Sequence, residues 1–227
     1  MMSEKIQESL CAVFKEYENT FTPAYETAIT AGMAALQAQL IDDDERSAGS
    51  QGHQRARCFV VDYNLLHDTI RLTEKLLAAN RTSDLGNRLM MLISSLLVTA
   101  DFCNEAAKLG CGELAVNLIR EDPQNAERVK FALNLIKALV GNDDVRHKLI
   151  TSVKVEEDVV IALQQHYSNR ATALAALRAL TALTLRNPDS ARDIVALGGA
   201  NAIINALNVH TEDKTLCRAG TRIHFAP

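Results

Sequence analysis

A period of 44 residues is the feature of this sequence that most restricts its fold. Two apolar sets recur at this spacing: Val116, Val160 and Ile204, then Ile119, Leu163 and Leu207. Each set predicts the same apolar face on three successive helices. A fixed period of about 40–47 residues is typical of helical repeats that stack into a solenoid. The pattern therefore predicts an all-α repeat array.

The stretch 171–213 reads as one complete repeat unit. Leucines at every third position from Leu174 to Leu183 predict a long helix. Pro188 is suited to the first turn of a new helix and Asn187 to its N-cap, so a short helix should follow. Gly198 and Gly199 then form a corner before a medium helix, because glycine accepts the left-handed conformation. The predicted order is long helix, short helix, glycine corner, medium helix.

The middle unit departs from this pattern at its corner. Its Asn142 is still suited to helix capping. The sequence Ser152-Val153-Lys154-Val155, however, replaces the glycine pair. We therefore expect this corner to be looser or differently angled.

The repeat pattern divides the chain into four segments. These are N-terminal helices forming a partial repeat (1–41), a polar loop (42–57), the repeats (58–213) and a C-terminal segment (214–227). The loop reads DDDERSAGSQGHQRAR and is longer than connections usual in compact domains. It has no apolar residue beyond alanine, which favours a solvated segment.

Composition and motifs argue against several functional classes. A net charge of −4 gives no basic footprint for nucleic acid, and the longest apolar run is too short to cross a bilayer. The five cysteines form no CxxC pair and follow no secretory leader, which predicts reduced thiols and a cytoplasmic location, with a nuclear pool left open.

Candidate chemical sites are also weak. The six histidines show no ligand spacing, and the acids at 42–45 lack the alternating pattern of a calcium loop. No nucleophile elbow or phosphate-binding loop occurs. We therefore predict no enzyme activity, no metal site and no cofactor.

Three sequence words carry a resemblance to a known family. They are DDDER at 42–46, KALVGNDDVR at 137–146 and LRNPDSARDIVALGGA at 185–200. In this order they resemble the armadillo repeat family, and within it the armadillo repeat-containing protein 6 family. The resemblance implies a right-handed α–α superhelix with about three full units and partial units at each end. It also implies non-catalytic binding of a protein or peptide partner on the concave face.

The resemblance also directs attention to the long helices. Armadillo proteins that carry nuclear import signals have a Trp-x-x-x-Asn ladder there. The corresponding pairs in this chain are Met91 and Ser95, Asn134 and Ala138, and Arg178 and Ala182, so the ladder is absent. What remains is a weaker prediction of a peptide-binding face whose polar members are Asn134, Lys137, Arg178 and Thr181. The alternative is that these residues only solvate exposed helix positions.

The C-terminal segment raises a further expectation. Members of the family continue with another long helix after the position of Asp213, whereas here Gly220 interrupts the helix. Solenoids need a polar terminal cap, so we expect an exposed apolar flank formed by Ile203, Ile204 and Leu207. Self-association through this C-terminal edge, binding of a partner there, or marginal stability would follow. Two other functions stay open: a structural segment docking by its ends into an assembly, and an adaptor acting through the 42–57 loop.

Overall fold

The computed structural model describes residues 12, 16, 22–40, 51–78 and 84–223. All regular structure in these residues is helical, which confirms the predicted all-α fold class. The described part contains thirteen α-helices, which are in chain order α1 (Pro23–Leu40), α2 (Gln51–Val61), α3 (Leu65–Ala78), α4 (Asp84–Leu96), α5 (Ala100–Lys108), α6 (Cys111–Glu121), α7 (Ala126–Leu139), α8 (Asp143–Lys148), α9 (Val155–His166), α10 (Arg170–Thr184), α11 (Pro188–Ala196), α12 (Gly199–Val209) and α13 (Lys214–Gly220). Apart from residues 12 and 16, the part of the predicted N-terminal helices before residue 22 lies outside the described residues, as does the acidic run at 42–45.

The chain divides into two compact units, and the boundary falls between Leu109 and Gly110. In the N-terminal unit, α1 packs against α2 and α4, and α3 also packs against α2 and α4. Ile29 and Met33 of α1 are fully buried there, as is Phe59 of α2. This unit therefore has its own apolar core.

The prediction of a polar loop is wrong for residues 51–57, which form the first part of α2. The helix buries Gly52, His53 and Ala56, followed by Phe59 and Val60. These positions have the spacing of one helical face, but the first three carry small or polar side chains. The pattern of large apolar residues therefore failed to show that the helix begins at Gln51. Residues 42–50 of the predicted loop lie outside the described part.

In the C-terminal unit the helices form two rows. The medium helices α6, α9 and α12 pack in succession, and so do the long-helix positions α7, α10 and α13. Each medium helix also packs against the helix that follows it, α6 on α7 and α9 on α10. The fully buried Val116, Leu163 and Leu180 belong to the core between the rows. This arrangement is the stacked helical repeat that the 44-residue period predicts.

Helix capping repeats with the same period. Asn125, Asn169 and Asp213, each 44 residues apart, are the N-caps of α7, α10 and α13. The Oδ1 atom of each accepts a hydrogen bond from a backbone N–H in the first turn, such as Thr172 N to Asn169 at 3.2 Å. The N-caps predicted at Asn142 and Asn187 are confirmed, because their side chains accept from backbone N–H groups in α8 and α11. Side-chain caps thus begin the long and short helices of the repeats.

The corner before each medium helix keeps one backbone conformation. Gly110 and Gly198 both have φ of 83°, and Lys154 occupies the equivalent position with φ of 57°. The expected change in the middle unit is found just before the corner, where residues Leu149–Val153 wind into a π-helical turn. The left-handed corner itself is retained by Lys154, although a lysine is disfavoured in that region.

Two histidines connect successive medium helices. His166, the last residue of α9, has its Nε2 atom 2.7 Å from the carbonyl oxygen of Pro123. His210, 44 residues later, has its Nε2 atom 3.0 Å from the carbonyl oxygen of Tyr167. Because a carbonyl only accepts, both rings donate from Nε2. These contacts join equivalent points of neighbouring repeats.

Candidate functional site

The four predicted partner-binding residues lie on two neighbouring helices of the C-terminal unit. Asn134 and Lys137 are on α7, and Arg178 and Thr181 are on α10. Asn134 and Arg178 occupy equivalent repeat positions, as do Lys137 and Thr181. Lys137 and Arg178 are exposed, whereas Asn134 and Thr181 are half-buried.

The packing of α7 against α10 brings these positions together. Near their N-terminal ends, the hydroxyl of Thr172 on α10 donates to the carbonyl oxygen of Ala126 on α7 at 2.9 Å. Because the first turns meet and the two helices pack along their lengths, they run in the same direction. Equivalent positions on the two helices therefore lie beside each other, on one surface.

Thr181 differs from the other three residues. Its hydroxyl donates at 2.8 Å to the carbonyl oxygen of Leu177, and it lies 3.3 Å from the carbonyl oxygen of Ala219 on α13. The side chain therefore contributes to the packing of α10 against α13. Thr181 therefore belongs to the predicted set by its position on α10, whereas its hydroxyl is already bonded within the chain.

Charge is unevenly distributed over the C-terminal unit. The helices α7, α10 and α13 carry three, two and two Lys or Arg residues but a single acid, Glu127. The other helices of this unit, α6, α8, α9, α11 and α12, carry nine acids and four Lys or Arg residues. The surface made by α7, α10 and α13 is therefore basic in a chain whose net charge is −4.

Some of these cations are neutralised locally. Arg128 pairs with Asp122, Lys130 with Glu127, and Arg170 with Asp213. The Leu216 N–H, together with the Arg170 guanidinium, holds the pKa of the Asp213 carboxyl below its ordinary value of 3.8.

Arg178, Arg218 and Arg222 are exposed, and their guanidinium groups make no ion pair with the described residues. We call Lys137, Arg178, Arg218 and Arg222 the basic face.

Two members of the basic face escaped the sequence analysis. Arg222 lies 44 residues after Arg178, and Arg218 lies one helical turn before Arg222. Extending the period past Asp213 would have found Arg222. The contact between Thr181 and Ala219 places both arginines beside the C-terminal part of α10.

An ion pair and a buried hydrogen bond on the other helices join neighbouring repeats. Arg120 at the end of α6 makes two hydrogen bonds of 2.8 Å to the carboxylate of Asp158 in the first turn of α9. Glu156, also in that turn, is buried and accepts a 2.5 Å hydrogen bond from Ser190 on α11. Burial raises the pKa of Glu156, the Ser190 hydroxyl opposes this, and the nearby Asp193 carboxylate adds to the increase. Both contacts fasten neighbouring repeats together.

The predicted apolar flank is only partly exposed. Ile203 is buried, and Leu207 is half-buried, with its side chain close to Gly220 of α13. Part of the flank is thus covered by the short helix α13, so the prediction of a fully exposed flank is wrong for Ile203 and Leu207. Ile204 is 53% exposed, although the equivalent Val116 and Val160 are 0% and 1% exposed. Val209 is 51% exposed. The C-terminal edge is defined here by Ile204 and Val209.

Other features offer little chemistry. Among the described residues, no three His, Cys, Asp or Glu side chains form a group that could hold a metal ion. Burial raises the pKa of the Cys103 thiol to about 11, which disfavours the reactive thiolate. An open depression of about 680 Å³ lies between Arg170 and the 209–214 turn, and the Arg170–Asp213 ion pair lies within it. No helix in the described part is long and apolar enough to cross a membrane.

Comparison with known proteins identifies relatives of this chain. It is 30% identical over 168 residues to human armadillo repeat-containing protein 6, covering 70% of this chain and 33% of that protein. The corresponding homolog of Drosophila melanogaster is 25% identical over 153 residues, or 67% of this chain and 32% of the homolog. The chain thus spans about one third of the length of these relatives. No family model matches the chain. No solved structure matches it either.

Proposed function

The chain belongs to the armadillo-repeat proteins, with armadillo repeat-containing protein 6 as its relative, and on this premise we propose that it is a non-catalytic protein-interaction scaffold. The relationship to armadillo-repeat proteins favours protein binding as the general function. The surface proposed for binding is formed by α7, α10 and α13 and includes Asn134, Lys137, Arg178 and Thr181. The proposed location is the cytoplasm, with a nuclear pool left open.

The observation that supports this proposal is the uneven charge of the C-terminal unit. Stacked repeats hold the exposed side chains of α7 and α10 at fixed positions. Binding of a partner segment would therefore immobilise few additional side chains of this protein. Nine acids of the unit lie on the other helices, for example Asp158, which binds Arg120. The C-terminal halves of α7, α10 and α13 thereby carry only positive charge.

Charge reversal on the surface tests the proposal. We expect Lys137→Glu combined with Arg178→Glu to lower the recovery of co-purified proteins in quantitative affinity capture from cell lysate. Lys148→Glu combined with Arg192→Glu is the matched control, because it changes the net charge equally on α8 and α11. Equal recovery with both double variants would argue against binding at the long helices.

A second candidate function is docking through the C-terminal edge. The exposure of Ile204 favours it, because the two equivalent valines are buried in the preceding repeats. The occupant that continues the row α6, α9 and α12 is a medium helix of another armadillo repeat, supplied by a second copy or an assembly partner. Light scattering of the purified chain tests self-association through this edge. The adaptor alternative narrows to residues 42–50, since 51–57 belong to α2.

A further inference from the structure

The basic face has a composition that helix stability alone does not explain. Cations near a helix C-terminus interact favourably with the helix dipole, and this accounts for Lys137 and Arg218 in the last turns of α7 and α13. Arg222 lies just beyond the end of α13, where the same interaction applies. Arg178, in contrast, lies in the middle of α10, so it adds positive charge without that benefit.

The four residues of the basic face lie on adjoining helices. The Thr181–Ala219 contact lies one turn from Arg178 along α10 and between Arg218 and Arg222 along the chain. Lys137 is equivalent to Thr181, on the neighbouring helix α7. No acid is present on α10 or α13, and the acid of α7, Glu127, lies in its first turn beside Lys130. A ligand crossing the C-terminal halves of these helices would meet only positive charge on them.

We propose that the basic face binds an acidic, extended peptide segment that carries a carboxylate at about every third residue. The proposal rests on the scaffold function and names the chemistry of its partner. Packed helices lie about 8–10 Å apart, so a segment crossing α7, α10 and α13 meets a new cation at about that interval. A polyproline II segment has three residues per turn and rises about 3.1 Å per residue, which places successive carboxylates about 9 Å apart on one side.

Charge also favours a peptide over a nucleic acid. A nucleic-acid phosphate backbone is a dense, continuous polyanion, and its binding usually requires a basic domain. Here the chain is net negative, and nine acids lie on the other helices of the same unit. These acids would repel a long polyanion but leave a short segment on the basic face unaffected.

The experiment measures fluorescence anisotropy with synthetic twelve-residue probes and the full chain. The acidic probe has four Glu-Ala-Pro repeats, and the neutral probe has four Gln-Ala-Pro repeats. A block probe has the same composition as the acidic one, with its four glutamates contiguous. We expect the acidic probe to bind at least about tenfold more tightly than the neutral one and more tightly than the block probe. We also expect its affinity to fall as the ionic strength rises from about 0.05 to 0.5 M.

Matched variants locate the binding. Arg178→Glu should weaken binding of the acidic probe by roughly fivefold or more. Arg192→Glu, the same substitution at an exposed position of α11, should change it by less than about twofold. Circular dichroism verifies that both variants keep their helicity.

Several results would overturn the inference. They are equal binding of the acidic and neutral probes, equal binding of the acidic and block probes, equal effects of Arg178→Glu and Arg192→Glu, or tighter binding of a twelve-nucleotide single-stranded DNA. If the probes fail while the long-helix double variant still loses captured proteins, the acidic-partner inference fails and the scaffold function stands. If that variant also retains its captured proteins, both fail.

Discussion

Position 154 shows how a single residue adapts to the repeat. Lys154 has the left-handed conformation that glycine adopts at the equivalent Gly110 and Gly198. Its side chain is exposed, so its contacts do not explain why lysine occurs there. The repeat geometry therefore imposes the conformation, and the lysine accepts an unfavourable φ.

We predict that Lys154→Gly stabilises the chain by about 1 kcal/mol, because it removes the steric cost of a Cβ atom in the left-handed region. The measurement is the free energy of unfolding from urea denaturation. Lys154→Ala is the control, since it removes the charge but keeps the Cβ atom. A similar gain in both variants would attribute the effect to charge and contradict the conformational explanation.

The buried pair of Glu156 and Ser190 predicts a pH-dependent stability. Since the folded pKa of Glu156 is raised above 4.5, the folded state holds its proton to higher pH than the unfolded chain does. Stability from this group therefore falls as the pH rises through the interval above 4.5. Glu156→Gln, which still accepts from Ser190, should remove this decrease and be more stable than the wild type at pH 7. Thermal melts between pH 4.5 and 7 measure the slope.

A companion substitution tests the hydrogen bond itself. Ser190→Ala leaves the buried carboxylate without its 2.5 Å donor, so we expect it to lower the free energy of unfolding at pH 7 by about 1–3 kcal/mol. In the Glu156→Gln background the loss should be smaller, because a neutral amide costs less to leave unpaired than a carboxylate. An equal loss in both backgrounds would show that the charge of Glu156 is unimportant.

At the scale of elements, the long and short helices of the C-terminal unit each begin at a residue whose side chain caps the first turn. Asn169 accepts hydrogen bonds from both Ala171 N and Thr172 N at 3.2 Å. The Thr172 hydroxyl in turn donates to Ala126 O, so this cap also holds α10 in place against α7. Helix capping and the packing of the long helices are therefore coupled.

Asn169→Ala should destabilise the chain by about 1 kcal/mol, since it leaves N–H groups of the first turn without an acceptor. Asn205→Ala provides the matched comparison, because Asn205 is exposed within α12 and alanine has the higher helix propensity. We expect that variant to be neutral or slightly more stable in chemical denaturation. Comparable destabilisation by both would mean that the asparagine cap contributes nothing.

The elements also show where sequence reasoning succeeded and failed. The sequence predicted the helix caps at Asn142 and Asn187 and the glycine corners, because these features depend on local backbone chemistry. The 44-residue period was visible directly in the apolar pattern. The sequence assigned the start of helix α2 to a loop because the first residues of its buried face are Gly52 and His53. The burial of these small or polar residues depends on neighbouring helices. Of the basic face, Lys137 and Arg178 were predicted. Arg218 and Arg222 were missed because the interrupted segment after Asp213 was not treated as part of the long-helix row.

At the scale of the whole molecule, we propose that the C-terminal edge mediates self-association. Ile204 is the one member of its repeat set that is exposed, since Val116 and Val160 are buried. We expect the chain to self-associate with rising concentration in light scattering, and Ile204→Glu to shift it toward the monomer. Val61→Glu, at a 68% exposed position in the N-terminal unit, is the control. A monomeric wild type at all concentrations would contradict docking of two copies through this edge.

The recurrence of helix caps every 44 residues has a consequence for how such chains change in evolution. Deleting residues 126–169 would join Asn125 directly to Arg170, so a cap that now begins α7 would begin α10. The joined sequence keeps the order of the repeat positions, because Asn125 and Asn169 occupy equivalent positions in successive repeats. Loss or duplication of one whole period would therefore keep a capping side chain at the start of the following long helix. The number of repeats could change in this way without new helix ends having to arise.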